Sequence, residues 1–110
     1  MNTDHGYNIE IGITAATGSS QATGTAITKK FNVVNTVATA GDAVTLPTAA
    51  AGLEVYLRND GANSADVFPA SGDQINDASA DAAYALPAED SVHLVAVSDS
   101  EWVVFGDAGN

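Results

Sequence analysis

The 110-residue chain contains no cysteine, which excludes disulfide staples, thiolate metal ligands and a cysteine nucleophile. Basic side chains are almost as scarce: Lys29, Lys30 and Arg58 stand against 14 carboxylates, a formal net charge of −11. A surface of that sign repels phosphate backbones, so nucleic acid is not an expected partner. Long apolar runs are missing too. No stretch approaches the roughly 20 residues a membrane helix needs, so no membrane partner is expected. The polar start, Met1-Asn2-Thr3-Asp4-His5-Gly6, lacks a basic region followed by an apolar run, and no signal peptide is read there. Aromatic residues are 6% of the chain, and alanine supplies much of its hydrophobic 45%. The length suits one domain with a thin core, for which oligomerisation is a natural way to add buried area.

What charge there is falls unevenly. Residues 1–40 hold Asp4 and Glu10 against Lys29 and Lys30, a net of zero, whereas residues 41–110 hold 12 acids against Arg58, a net of −11. A neutral docking arm attached to a solvated acidic body gives that split.

Hydrophobic patterning is that of short strands. Ile9, Ile11 and Ile13 alternate along residues 8–14 and share one strand face. Residues 15–26 are Ala, Thr, Gly, Ser and Gln with no period, and read as a link that orders on a partner. Residues 27–37 are β-branched and aromatic-rich, and read as a strand. Ala43–Leu46 is a strand stopped by Pro47. In residues 53–58, Leu53, Val55 and Leu57 alternate with Glu54, Tyr56 and Arg58 before the turn Asn59-Asp60-Gly61. Ala65–Phe68, Ala83–Leu86, Val92–Val97 and Trp102–Phe105 complete the set. Leu46-Pro47 and Val55 find weak echoes in Leu86-Pro87 and Val95 at an offset of 40 residues, as two Greek-key halves would. The last two strands are apolar on both faces, which places Leu94, Val97, Trp102 and Val104 in the core or at a subunit contact. The expected fold is all-β, a β-sandwich or jelly-roll-like body (29–110) with an extended N-terminal arm (1–28).

Candidate chemistry is thin. His5 lies near the N-terminus and His93 inside a strand, and no Gly-x-Ser-x-Gly elbow accompanies either. Two histidines 88 residues apart have no metal-ligand spacing. Asp73, Asn76, Asp77 and Asp81 offer oxygen ligands of the kind Ca²⁺ takes, without the EF-hand pattern, and a solvated loop is the ordinary reading. Glu89 and Asp90 are adjacent, and neighbours in a strand point apart. Tyr56 and Trp102 could form a sugar platform, although a tryptophan more often anchors a core or an interface. The reading is a non-enzyme with no cofactor and no metal.

Several phrases resemble small virion structural proteins of tailed bacteriophages. They are Gly12-Ile13-Thr14-Ala15-Ala16, Val44-Thr45-Leu46-Pro47, Asn59-Asp60-Gly61-Ala62-Asn63, Val67-Phe68-Pro69-Ala70-Ser71-Gly72-Asp73-Gln74-Ile75-Asn76 and Trp102-Val103-Val104, and the likeness as a whole is read over about residues 13–105. That class includes cement or decoration proteins, head fibres and tail-fibre modules. The resemblance implies a capsid decoration protein on the outer surface of a phage head, a homotrimer bound to the major capsid protein. A carbohydrate-binding or adhesion module of a fibre or baseplate is the alternative. Under the first reading the docking arm uses Ile9, Ile11, Ile13, Lys29 and Lys30.

Overall fold

The computed structural model describes residues 8–107 and holds ten strands and no helix among them. They are β1 (Ile9–Thr14), β2 (Thr25–Ala26), β3 (Phe31–Thr36), β4 (Ala43–Thr45), β5 (Glu54–Asn59), β6 (Ala65–Phe68), β7 (Gln74–Ile75), β8 (Tyr84–Leu86), β9 (Ser91–Ala96) and β10 (Glu101–Asp107). A larger sheet has the order β1-β3-β5-β9-β10-β7, and a smaller one the order β2-β4-β6-β8.

The chain shuttles between these sheets. β1, β3 and β5 pair in parallel in the larger sheet, and β2, β4 and β6 pair in parallel in the smaller one. Parallel neighbours require a crossover, and here each crossover is a strand of the opposite sheet. Three coils therefore stack as in a β-solenoid. The stack then closes: β8 runs antiparallel to β6, and β9 antiparallel to β5. β10 returns beside β9, and β7 lies along β10. The other end of the stack, β1 and β2, is an open edge of each sheet.

The all-β expectation holds, but this connectivity is solenoid-like and not that of a jelly roll, whose neighbouring strands are antiparallel. The weak offset of 40 residues does not correspond to a structural repeat either. Val55 lies opposite Leu94, and the stacking partners are Ile9, Phe31 and Tyr56, 22 and 25 residues apart.

Alternation drives the packing. Val34, Leu57, Leu94 and Trp102 point inward from the larger sheet and Val44, Val67 and Leu86 from the smaller, all within one core. Each such side chain contributes about 1.5–3 kcal/mol on burial. Ile13, Ala15 and Ile27 belong to the same core, at 5%, 3% and 1% exposure. The described part of residues 1–28 is therefore the first coil of the body and not an arm; residues 1–7, with His5, lie outside the described residues. The link read at residues 15–26 contains β2, anchored where Ala16 and Ala43 exchange backbone hydrogen bonds of 2.9 and 2.8 Å. Leu53, expected to point inward, is 39% exposed, because β5 begins one residue later, after Gly52 turns the chain at φ 93°.

Buried polar groups bracket the coils. Asn59 is fully buried at the end of β5. Its Nδ2 donates to the carbonyls of Asn63 (2.9 Å) and Leu86 (3.0 Å), and its Oδ1 accepts the Gly61 amide (2.8 Å). A Cβ on Gly61 would lie 2.7 Å from the Val37 backbone nitrogen, so only glycine fits. Asn63 donates to the Val37 carbonyl at 2.8 Å. The Asn-Asp-Gly-Ala-Asn phrase thus ties β5 to β8 and to the loop after β3. Asn59→Ala strands the Gly61 amide and leaves the Leu86 carbonyl with the longer bond from the Ser64 hydroxyl at 3.4 Å, and a loss of about 2–4 kcal/mol is expected, read from a denaturant midpoint shift.

Candidate functional site

The outer face of the larger sheet is built by the residues that the core alternation leaves over. Register sets them in rows across the strands. One row runs Ile9, Phe31, Tyr56, His93, Gly106, and the next runs Val33, Arg58, Ser91. Between the rows lies a groove of about 480 Å³, crossing five strands from Ile9 on β1 to Gly106 on β10. In the first row the rings form a ladder. Phe31 and Tyr56 stack with centroids 4.7 Å apart at 15°, and Tyr56 and His93 stack at 4.1 Å and 3°. Such cross-strand pairs stabilise a sheet by about 0.5–1.5 kcal/mol each.

Polar groups sit at the margins. His93 Nε2 lies 2.9 Å from Glu54 Oε1. Arg58 donates through Nε to Asp60 Oδ1 and through Nη1 to the Glu89 carbonyl, both at 2.7 Å. The Lys30 ammonium lies 5.7 Å from the centre of the Phe31 ring. Lys29 and Lys30 also line a neighbouring cleft of about 350 Å³ with Pro47 and Leu53. All three cationic residues of the chain therefore lie on or beside this sheet.

The exposed large hydrophobic residues gather here as well. Ile9, Ile11, Phe31 and Phe105 lie in strands of the larger sheet, and Leu53 and Val97 directly adjoin β5 and β9; the smaller sheet contributes none among the described residues. Ile11 and Phe105 are the most open, at 66% and 62%. Phe105 is the extra residue of a bulge between the Val104–Leu94 and Gly106–His93 pairs, which turns it out of the row.

The residues singled out in the sequence separate accordingly. Of the proposed docking set, Ile13 is in the core, Ile9 and Ile11 are exposed on β1, and Lys29 and Lys30 precede β3. Of the core-or-interface set, Leu94 and Trp102 are fully buried, Val104 packs partly buried against them, and Val97 is 47% exposed. Tyr56 and Trp102 cannot form one platform. Trp102 has no exposed surface, and the Tyr56 ring lies between Phe31 and His93.

The acidic loop is consumed by local structure. Asp73 is buried, and its Oδ2 accepts the Ala49 amide at 2.9 Å. Asn76 Oδ1 accepts the Val104 amide at 2.9 Å. Asp81 accepts from the Gly72 amide and from Gln21, and these bonds hold its carboxyl below the usual range. Among the described residues no group of three or more His, Asp or Glu is placed to hold a metal. His93 directs Nε2 to Glu54, and the nearest serine in sequence, Ser91, has its hydroxyl 3.5 Å from Arg58 Nη1.

Asp77 and Glu101 are a like-charged pair. The hydrogen bond with Asp77, with desolvation and repulsion adding to it, raises the Glu101 carboxyl above its ordinary value. A raised carboxyl pKa means that ionisation costs the folded state more than the unfolded one. The penalty is absent when both states are protonated and grows as pH rises through the carboxylate range. Glu101→Gln is therefore expected to raise the melting temperature at pH 7, and the gain should vanish below about pH 4. Paired thermal melts at the two pH values check this.

The chain matches no protein-family model, and comparison with curated proteins and with solved structures finds no match. The ladder residues Phe31 and Tyr56, and Arg58 and Gly106 beside them, had no motif to mark them as a set. Only the register between distant strands brings them into one surface.

Proposed function

We propose that this chain is a structural docking protein of a virus particle: a decoration module on the outer surface of a phage head, held to the major capsid protein through the outer face of the larger sheet. The observation that carries the reading is the gathering of every large exposed hydrophobic residue among the described residues onto that sheet or its margins, beside all three cations of a strongly anionic chain. Exposed apolar side chains gathered about one sheet and rimmed by polar groups mark an interaction site. The remaining acidic surface keeps the particle's exterior solvated and repels further copies. The phrases that resemble phage virion proteins supply the viral setting. Three copies around a threefold point, the arrangement that resemblance implies, would add avidity at each capsid seam.

Add-back to purified heads lacking this chain tests the reading. The wild-type protein should bind in fixed stoichiometry and protect heads against heat. Ile11→Glu with Phe31→Glu should weaken binding about tenfold or more with the fold retained. Ala85→Glu on the smaller sheet should leave it unchanged. Wild-type protein that fails to bind heads would sink the proposal. Unchanged binding by the double variant would move the docking surface elsewhere.

A further inference from the structure

The stacked row on the outer face stops one rung short. Its members come from five strands, and the rings of Phe31, Tyr56 and His93 follow one another at 4.7 and 4.1 Å, close to the spacing of the strands that carry them. At the next position β10 presents Gly106, directly opposite His93. Among the described residues, a Cβ built there would meet only the His93 Cβ within 4 Å, at 3.7 Å, its own chain neighbours aside. The aromatic side chain that could have filled the position, Phe105, is bulged out of the row. One face of the His93 ring is covered by Tyr56, and Gly106 supplies nothing to cover the other. The contact with Glu54 at 2.9 Å holds the imidazole in the plane of the stack.

We propose that this vacant rung receives a flat aromatic side chain of the capsid protein, stacked on the open face of His93 above Gly106. The inference rests on the docking reading and names what that face recognises. A ring laid over Gly106 would continue the stack at the strand spacing that Phe31, Tyr56 and His93 already follow. The adjoining row is Glu54, Val95, Val103, so β9 and β10 border the rung with two valines. On the side of those valines a pyranose hydroxyl has nothing to bond, whereas an aromatic ring needs no partner at its edge.

The test uses the full chain. Indole, the tryptophan side chain alone, is titrated against labelled protein while the His93 ring and Gly106 amide resonances are followed. Ring-current shifts at both are expected in the wild type and none in Gly106→Leu, whose side chain fills the rung. The φ of Gly106 is outside the left-handed region, so the leucine is not strained by the backbone. His93→Ala, which removes the platform and leaves the opening, guards against a folding defect in the first variant and should also lose the Gly106 shift. In the head-binding assay both variants should fall about tenfold, the effect of an aromatic anchor. If indole moves neither resonance, or methyl glucoside moves them and indole does not, the inference is overturned. If both variants bind heads like wild type while Ile11→Glu with Phe31→Glu does not, the docking face stands and the rung falls. If wild-type protein does not bind heads, the docking reading falls and takes the capsid partner with it.

Discussion

Trp102→Ala should cost about 3–5 kcal/mol, the range for deleting a buried tryptophan. Trp102 has no exposed surface and is the largest of the fully buried side chains. It sits on β10, opposite Ala96 of β9 on one side and Ile75 of β7 on the other. Its loss therefore opens a void where the closing strands meet the core. A domain of this size has about 5–15 kcal/mol in total, so the melting temperature should fall by roughly 12–25 °C. Trp102→Phe is the informative companion. The indole Nε1 has no hydrogen-bond partner among the described residues, so phenylalanine removes an unpaired donor together with some volume. A smaller loss of about 1–2 kcal/mol is expected. Calorimetry of the three proteins checks the order. Equal melting temperatures for wild type and Trp102→Ala would show that the core does not depend on this side chain.

Removal of residues 1–28 should have an effect at least as large. If that segment were an arm, its loss would spare the body. In the structure it carries Ile13 and Ile27 into the core, and β1 pairs along β3. Losing two buried isoleucines alone costs about 4–10 kcal/mol, comparable with the whole stability of the domain. The cut also bares the edge of β3, an unpaired strand of the kind that recruits other chains. The shortened protein should show no cooperative melt by circular dichroism, and should aggregate. A sharp melt within a few degrees of the full-length chain would restore the arm. In β1 a bulge, with Gly12 at φ 77° and its amide bonded to Asn35 Oδ1 of β3 at 2.7 Å, interrupts the regular ladder of that edge strand.

Strands were legible where a period of two sat beside turn residues. The alternation in Glu54–Asn59 and Ser91–Ala96 marks those strands, and the prolines at 47, 69 and 87 mark stops. The short strand Thr25–Ala26 was not legible, because two small residues carry no period; it exists because β4 lies beside it. The solenoid-like coil was hidden for a related reason. Its turns differ in length, and different residue types fill equivalent positions, so no repeat survives in the sequence.

The candidate site was less legible still. That Leu94, Trp102 and Val104 are apolar is local information, and so is the apolar character of Val95 and Val103 on the opposite parity. Which of the two faces becomes core depends on where the smaller sheet lies. The sequence by itself determined an acidic, cysteine-free, all-β chain with its few cations confined to residues 29–58, because composition and side-chain alternation are properties of neighbours along the chain. Only the tertiary structure decided that residues 9–27 belong to the body and that Phe31, Tyr56 and His93 stack into one ladder ending at Gly106. Strand register between distant segments is fixed by the shape of the shared core, which no local pattern encodes.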